Sequence, residues 1–285
     1  MIRPLTSKYS LNDLRAARKN GTKVPMLTCY DYSTARLMQE SGVPMLLVGD
    51  SAANVIFGHD TTLPVSLNLM MELAAAVRRG APLAFVVADM PFGSYHGSVA
   101  KGVKNVCRMV QLSRCDCVKV EVAASHGRLV RELADAGVAV MAHVGLRPQA
   151  VGILGGYKSQ GRTAESAEEI VELAMKMERA GAAAVLLEAV PPEVSQRVVE
   201  QVVIPVIGCG AGPACDGHVI VTHDGLGLTT HRPRFVPELG DVATKMKEAF
   251  GNYVERIASG DYPAPEHQYQ MPADEKAKFL ASTEF

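Results

Sequence analysis

Residues 166–188 decide the fold: Ser-Ala-Glu-Glu-Ile-Val-Glu-Leu-Ala-Met-Lys-Met-Glu-Arg-Ala over 166–180, Gly181, then Ala183-Ala184-Val185-Leu186-Leu187 running into Glu188. The first part reads as a helix. Ser166 and Glu169 have the spacing of a capping box, and Ile170, Leu173, Ala174 and Met177 fall on one face as an apolar stripe. Gly181 is the expected left-handed terminator. The run that follows has no polar alternation, so it suits a strand buried on both faces, and it closes on a carboxylate.

The same unit recurs along the chain. A helix over 33–41 ends at Gly42, and Met45-Leu46-Leu47-Val48 runs into Gly49-Asp50-Ser51. A helix over 67–79 ends at Gly80, and the apolar run 83–87 reaches Ala88-Asp89. A helix over 129–136 ends at Gly137, and the run 138–141 reaches Ala142-His143. Each glycine is expected to be left-handed. Leu11–Lys19 reads as an earlier helix with Ser10 or Asn12 as cap. The strands are expected at 26–30, 45–49, 83–88, 117–122, 138–144, 183–190, 204–208 and 218–223. Eight parallel strands alternating with helices in 285 residues predict an α/β fold, a (β/α)₈ barrel rather than a doubly wound sheet. The barrel with its N-terminal helical lead is expected to take 1–260, and 261–285, with Pro263, Pro265 and Pro272, to form an extended tail.

Hydrophobic residues make up 48% and charged residues 21%, which predicts a packed core and excludes disorder. A net charge of −1 without a basic run gives no reason to expect nucleic acid or an anionic membrane as partner. Cysteines 29, 107, 115, 117, 209 and 215 follow no zinc spacing. The first residues lack the apolar core of a signal peptide, and no run is long enough to span a bilayer, so a reducing, cytoplasmic compartment is expected.

Barrels of this kind carry their chemistry where the strands end. There the sequence places Asp50 and Ser51, Asp89, Lys119 and Glu121, His143, and Glu188. Lys119 and Glu121 lie in Cys117-Val118-Lys119-Val120-Glu121-Val122, where period 2 puts both on one face and the valines on the other. Four carboxylates around one ammonium call for a counter-charge, and an all-oxygen donor set suits Mg²⁺ better than Zn²⁺. Each residue also has a structural alternative. Asp50 and Asp89 read equally as helix N-caps, Lys119 as a salt bridge to Asp89 or Glu121, and His143 as a hydrogen-bonded barrel histidine. The Lys119 strand could also be an exposed edge. Glu188, flanked by apolar residues, would have its pKa raised by burial into the range of a usable base. Gly208-Cys209-Gly210-Ala211-Gly212 would let a ligand approach the backbone. The long Gly-rich segment 145–162 reads as a functional loop, a cover for the site.

The motifs together carry a resemblance. Val48-Gly49-Asp50-Ser51, Gly58-His59-Asp60-Thr61-Thr62-Leu63-Pro64-Val65, Ala88-Asp89-Met90-Pro91-Phe92, Val118-Lys119-Val120-Glu121, His143-Val144-Gly145-Leu146-Arg147-Pro148-Gln149, Gly155-Gly156-Tyr157-Lys158-Ser159-Gln160-Gly161-Arg162 and Leu187-Glu188-Ala189-Val190-Pro191 resemble, in order, the ketopantoate hydroxymethyltransferase family over residues 28–267. The resemblance implies a barrel of the phosphoenolpyruvate mutase/isocitrate lyase type and one Mg²⁺ per subunit. It implies hydroxymethyl transfer from 5,10-methylenetetrahydrofolate to 3-methyl-2-oxobutanoate for pantothenate synthesis. It assigns Asp50, Asp89 and Glu121 to the metal, Glu121 through water, and Asp50, Ser51, Asp89 and Lys119 to the oxoacid. Glu188 becomes the proton acceptor, and His143 stands behind these groups or faces the substrate. A homo-oligomer, typically a decamer, is implied as well. The alternative is a Mg²⁺-dependent lyase or aldolase acting on another 2-oxoacid. Three stretches depart from the family pattern: Ala52-Ala53-Asn54 after Ser51, Val122-Ala123-Ala124-Ser125-His126 after Glu121, and Pro213-Ala214-Cys215 after Gly212. They bear on the folate pocket and the choice of oxoacid more than on the metal chemistry.

Overall fold

All eight runs become strands of one closed parallel barrel in chain order: β1 (Val24–Thr28), β2 (Met45–Val48), β3 (Phe85–Asp89), β4 (Cys117–Glu121), β5 (Val140–Gly145), β6 (Ala184–Glu188), β7 (Val206–Cys209) and β8 (Gly217–Ile220). The structure is a computed structural model and describes residues 4–282. β1 pairs with both β2 and β8, so the sheet has no edge, and the exposed-edge alternative for β4 is excluded. β8 stops short of the expected His223, because 222–225 turn into a single helical turn.

The helices are α1 (Leu11–Lys19), α2 (Tyr32–Glu40), α3 (Ala52–Val55), α4 (Leu67–Gly80), α5 (Val99–Ser113), α6 (Gly127–Asp135), α7 (Val151–Leu154), α8 (Ala164–Arg179), α9 (Pro192–Gln201), α10 (Thr222–Gly225), α11 (Val242–Ser259) and α12 (Ala273–Ala281). Ser10 caps α1 in a reciprocal box with Asp13. α8 starts earlier than expected. Thr163 is its cap and Ser166 its third residue, so the box is Thr163–Ser166 rather than Ser166–Glu169. Gly42, Gly137 and Gly181 are left-handed, as expected. Gly80 is not. It ends α4 in ordinary helical geometry, where a Cβ would stand 2.3 Å from the Tyr32 carbonyl oxygen, so it is small to let α2 and α4 touch. The tail past 261 is not simply extended, since α12 forms within it, although none of its residues is buried.

Period 2 along the strands builds the barrel in layers. Val118 and Val120 of β4 and Val185 and Leu187 of β6 face outward into the core shared with the surrounding helices. Inward go Phe85 and Val87 of β3, Cys117 of β4, Met141 of β5 and Ala184 and Leu186 of β6, joined by Leu14 of α1, which plugs the end where the strands begin. Continuing the same inward rows toward the strand ends gives Asp89, Lys119, Glu121, His143 and Glu188. The filling changes from apolar to ionisable in step with the fold, and this brings the site together.

The plugged end has its own polar fastening. Asp116, just before β4, accepts a hydrogen bond from Val86 N of β3 at 2.8 Å and is ion-paired to Arg78, with Lys8 Nζ at 2.7 Å. Asp216, just before β8, accepts from Val206 N of β7 at 2.8 Å and is ion-paired to Arg18. The backbones match as well, Asp116 N donating to Val86 O and Asp216 N to Val206 O.

Candidate active site

A cavity of about 810 Å³ opens where the strands end, and Asp50, Ser51, Asp89, Lys119 and Glu188 all line it. Asp50 follows β2, Asp89 closes β3, Lys119 lies on β4 and Glu188 closes β6. Glu121 and His143 are fully buried beside this group but do not form part of the cavity wall.

The hydrogen bonds decide between the structural and chemical alternatives. Asp50 is no helix cap, since its Oδ2 accepts from Gln149 Nε2 at 2.7 Å. Asp89 precedes no helix directly, and its Oδ2 accepts from Asp50 N at 2.9 Å. Lys119 Nζ stands 3.0 Å from Asp89 Oδ1 but off the direction of a hydrogen bond, so that buried oxygen lacks a donor. Ser51 Oγ shares a hydrogen bond of 2.8 Å with the buried Tyr30 hydroxyl. His143 lies between two charged groups, its Nδ1 3.2 Å from Lys119 Nζ and its Nε2 3.2 Å from Glu188 Oε2. Burial, and then the Lys119 charge, push the imidazole pKa well down. The ring is therefore neutral, with Nδ1 accepting from the ammonium, while the buried Nε2 lies close to Glu188 without forming a hydrogen bond.

Burial also opposes the Lys119 charge, but Asp89, Asp50 and Glu121 outweigh it and hold the ammonium protonated. For Asp89 and Glu121, burial is the largest influence and raises both pKa values against the pull of Lys119. Burial raises Glu188 to about 7, with Lys119 again the opposing influence. A single ammonium thus faces several buried carboxylates, and it stands 3.0 Å from Asp89 Oδ1 as an ion pair. A hard dication with oxygen ligands fits this donor set. Among the described residues no three His, Cys, Asp or Glu side chains converge as a ready-made cage.

Three residues of the site were not singled out from the sequence for these roles. Gln149, in the one-turn 3₁₀ segment Pro148–Ala150, donates from Nε2 to Asp50 Oδ2 and to Met90 O (3.0 Å), and from its backbone N to Glu121 Oε2 at 3.1 Å. Tyr95 donates its hydroxyl to Gln149 Oε1 at 2.9 Å, which fixes which end of the amide faces Asp50. Tyr30 supports Ser51. An uncharged amide carries no charge pattern, and its partners lie on three different segments, so only the folded chain reveals it.

The 145–162 loop lies over the site as expected, with Leu146, Pro148 and Tyr157 in the cavity wall. It is tied to the strand below, Leu146 N donating to Glu188 O and Gln160 N to Ala189 O, each at 2.9 Å. Ala189, directly after Glu188, is held left-handed at φ 49° by these contacts. The glycines at 210 and 212 are left-handed and tightly packed, and with Gly208 they line a second cavity. A Cβ on Gly210 would stand 2.7 Å from the Phe235 ring, and one on Gly212 2.9 Å from Pro192. Of the three departing stretches, only Asn54 reaches the cavity wall among the described residues.

A family model described as ketopantoate hydroxymethyltransferase matches residues 8–265. A 3-methyl-2-oxobutanoate hydroxymethyltransferase of Thermobifida fusca (strain YX) is 42% identical over 262 residues, 92% of this chain and 94% of that protein. One from Geobacillus thermodenitrificans (strain NG80-2) is 44% identical over 253 residues, 88% of this chain and 91% of that one. Among solved structures, a phosphonopyruvate hydrolase in complex with oxalate and Mg²⁺ superposes with a TM-score of 0.61 at 15% identity, covering 95% of this chain and 98% of that one. A 2,3-dimethylmalate lyase, of the PEP mutase/isocitrate lyase superfamily, gives 0.59 at 18% identity with the same coverage. At these identities the two structures bear on the fold alone.

Proposed function

From the premise that the chain belongs to the ketopantoate hydroxymethyltransferase family, we propose how its side chains divide the work. Its activity is hydroxymethyl transfer to 3-methyl-2-oxobutanoate, in pantothenate biosynthesis. We assign Glu188 as the base that removes the C3 proton of the oxoacid. One observation carries this: Glu188 lines the same cavity as Lys119 and Asp89, with its pKa lifted by burial to about 7.

Asp50 and Asp89 would hold Mg²⁺ directly, and Glu121, set back from the wall, through water. When bound, the ion supplies Lewis acidity that polarises the keto group and acidifies C3. Asp50, Ser51, Asp89 and Lys119 position the oxoacid, and the Lys119 ammonium balances its carboxylate and the charge that develops as the proton leaves. Neutral His143, close to Glu188 without a hydrogen bond to it, leaves the base free to take a proton. Water takes the methylene carbon of 5,10-methylenetetrahydrofolate off as formaldehyde, both C–N bonds breaking and N5 and N10 each gaining a hydrogen. The C3 enolate adds to that carbonyl, whose oxygen takes a proton to become the hydroxyl of the new hydroxymethyl group. The 145–162 loop, anchored at both Leu146 and Gln160, excludes other water.

We read 1–260 as the catalytic unit, in a cytoplasmic setting; no helix among the described residues is long and apolar enough to cross a membrane. A homo-oligomer, decameric by resemblance, is supported by α11, which has no buried residue and exposes Phe250, Tyr253, Val254 and Ile257 along one stripe. Sedimentation should give a multiple of 30.4 kDa, and a monomer at assay concentration would remove the proposal.

The test of the chemistry is proton NMR of 3-methyl-2-oxobutanoate in D₂O with enzyme and Mg²⁺, with and without the folate donor. Mg²⁺-dependent loss of the C3–H signal, and product only once the donor is added, is the expected result. Exchange with no donor-dependent product would refute the folate step, and no exchange at all would refute the assignment of Glu188.

A further inference from the structure

The part of the cavity wall built from β7, β8 and the segment that follows, where Cys209 pairs with Glu188, has a different character. Cys209, Val219, Ile220, Val221, Phe235 and Val236 make it largely apolar. The volume of about 810 Å³ is far more than a short branched oxoacid fills, and it falls in the range, roughly 300–1,000 Å³, of clefts that enclose much larger ligands.

One charged group stands in this apolar wall. Asp224, in the turn after β8, lines the cavity and is only 8% exposed. Among the described residues its carboxyl has one hydrogen-bond donor, the Thr229 hydroxyl, 2.7 Å from Oδ1; no lysine or arginine pairs with it, and the nearby His223 and His231 make no ion pair with it. The turn that carries it is held firmly. Thr222 N donates to Thr28 Oγ1 at 3.0 Å, Thr222 Oγ1 donates to Thr28 O at 2.6 Å, and Leu239 N donates to Gly225 O at 2.7 Å. Cys209 pairs with Glu188 in the barrel, and Glu188, Cys209 and Asp224 all line the same cavity.

A buried carboxylate without a cation is costly unless donors reach it. It is here pre-positioned, half-satisfied, and set among flat-packing apolar side chains. A planar heteroaromatic with adjacent N–H donors meets all of these conditions, because an amino group beside a ring N–H can give parallel hydrogen bonds to the two oxygens. We propose that Asp224 is the recognition group for the pterin of the one-carbon donor, binding its amino and ring N–H edge while the apolar wall packs on its face. This rests on the folate donor proposed above, and it gives that donor a place in the cavity: pterin toward β7 and β8, methylene toward Glu188.

The experiment is Asp224→Asn, an isosteric change that still accepts from Thr229 but can turn an N–H toward the ligand's own N–H groups. With each substrate varied separately, KM for methylenetetrahydrofolate should rise about tenfold or more, the loss of a charge-assisted hydrogen bond. KM for the oxoacid, and Mg²⁺-dependent C3–H exchange in D₂O without folate, should stay within about twofold of wild type. Thr229→Val, which frees the carboxylate to turn, should give a smaller rise in the folate KM alone. An unchanged folate KM in both variants overturns the proposal. So does loss of folate-free exchange, which would put Asp224 with the oxoacid. Absence of donor-dependent product from the wild-type chain would overturn the folate reading and this proposal with it, whereas an unchanged KM in an active variant overturns this proposal alone.

Discussion

Glu188→Gln is expected to bind Mg²⁺ and oxoacid like the wild type yet to lose C3–H exchange and turnover by about a thousandfold, within the range for removing a positioned general base. The change keeps the shape of the side chain and the approach of His143 Nε2, which lies 3.2 Å from Glu188 Oε2 in the wild type. What it removes is the proton acceptor. The pH dependence has a definite sign. Burial, partly offset by Lys119, places the Glu188 pKa at about 7. The working form is the carboxylate, so kcat/KM of the wild type should rise with pH through about 7 and level off above it. That limb should be missing from whatever activity the Gln variant retains. Exchange monitored by NMR across pH 5.5–8.5, about one and a half units to either side, is the measurement. Unchanged exchange in the variant would take Glu188 out of the role.

The second large effect is expected at Gln149, a residue that has no chemistry of its own. Its amide donates to Asp50 Oδ2 at 2.7 Å, and its backbone N donates to Glu121 Oε2 at 3.1 Å, so one residue of the covering loop sets the direction of two carboxylates. Gln149→Ala keeps the backbone donor to Glu121 but releases Asp50, and it strands Met90 O, while the Tyr95 hydroxyl keeps the Glu121 carbonyl as acceptor at 3.3 Å. Partners that orient metal-site carboxylates typically contribute roughly 10–100-fold in metal affinity or activity. A loss of this size is expected in kcat/KM together with weaker Mg²⁺ binding to the substrate-free protein, measured calorimetrically. Stranding the buried Met90 carbonyl should also lower stability by about 1 kcal/mol. Tyr95→Phe removes only the group that fixes the amide orientation and should show the same pattern more weakly. Wild-type metal affinity in Gln149→Ala would end the positioning argument.

The barrel was legible because its strands are continuous apolar runs, each reached through a helix, and because that pattern needs no long-range information. Asp50, Asp89, Lys119, Glu121 and Glu188 were legible for a related reason, since an ionisable side chain closing an apolar strand contradicts its surroundings. Other features depend on contacts between distant segments. Gly80 looks like a helix terminator until α2 is seen lying against it. The close packing at the glycines 210 and 212 shows only once Phe235 and Pro192 are in place. Gln149 and Asp224 sit in loops where polar residues are common, and only their burial sets them apart.

The two aspartate fastenings at the plugged end provide a ruler for the opposite one. Asp116 stands to β3 and β4 as Asp216 stands to β7 and β8, so the barrel can be turned half a revolution onto itself. Equal steps along the strands then match Asp89 with Cys209, Lys119 with Val219, and Glu121 with Val221. The two fastenings match at the closed end, while at the open end the three matched positions differ, ionisable at the ends of β3 and β4 and apolar at the ends of β7 and β8. The proposed grip on a small charged acid and a broad, flat donor in a single chamber uses that asymmetry, which comes from unlike side chains at matched places of the barrel.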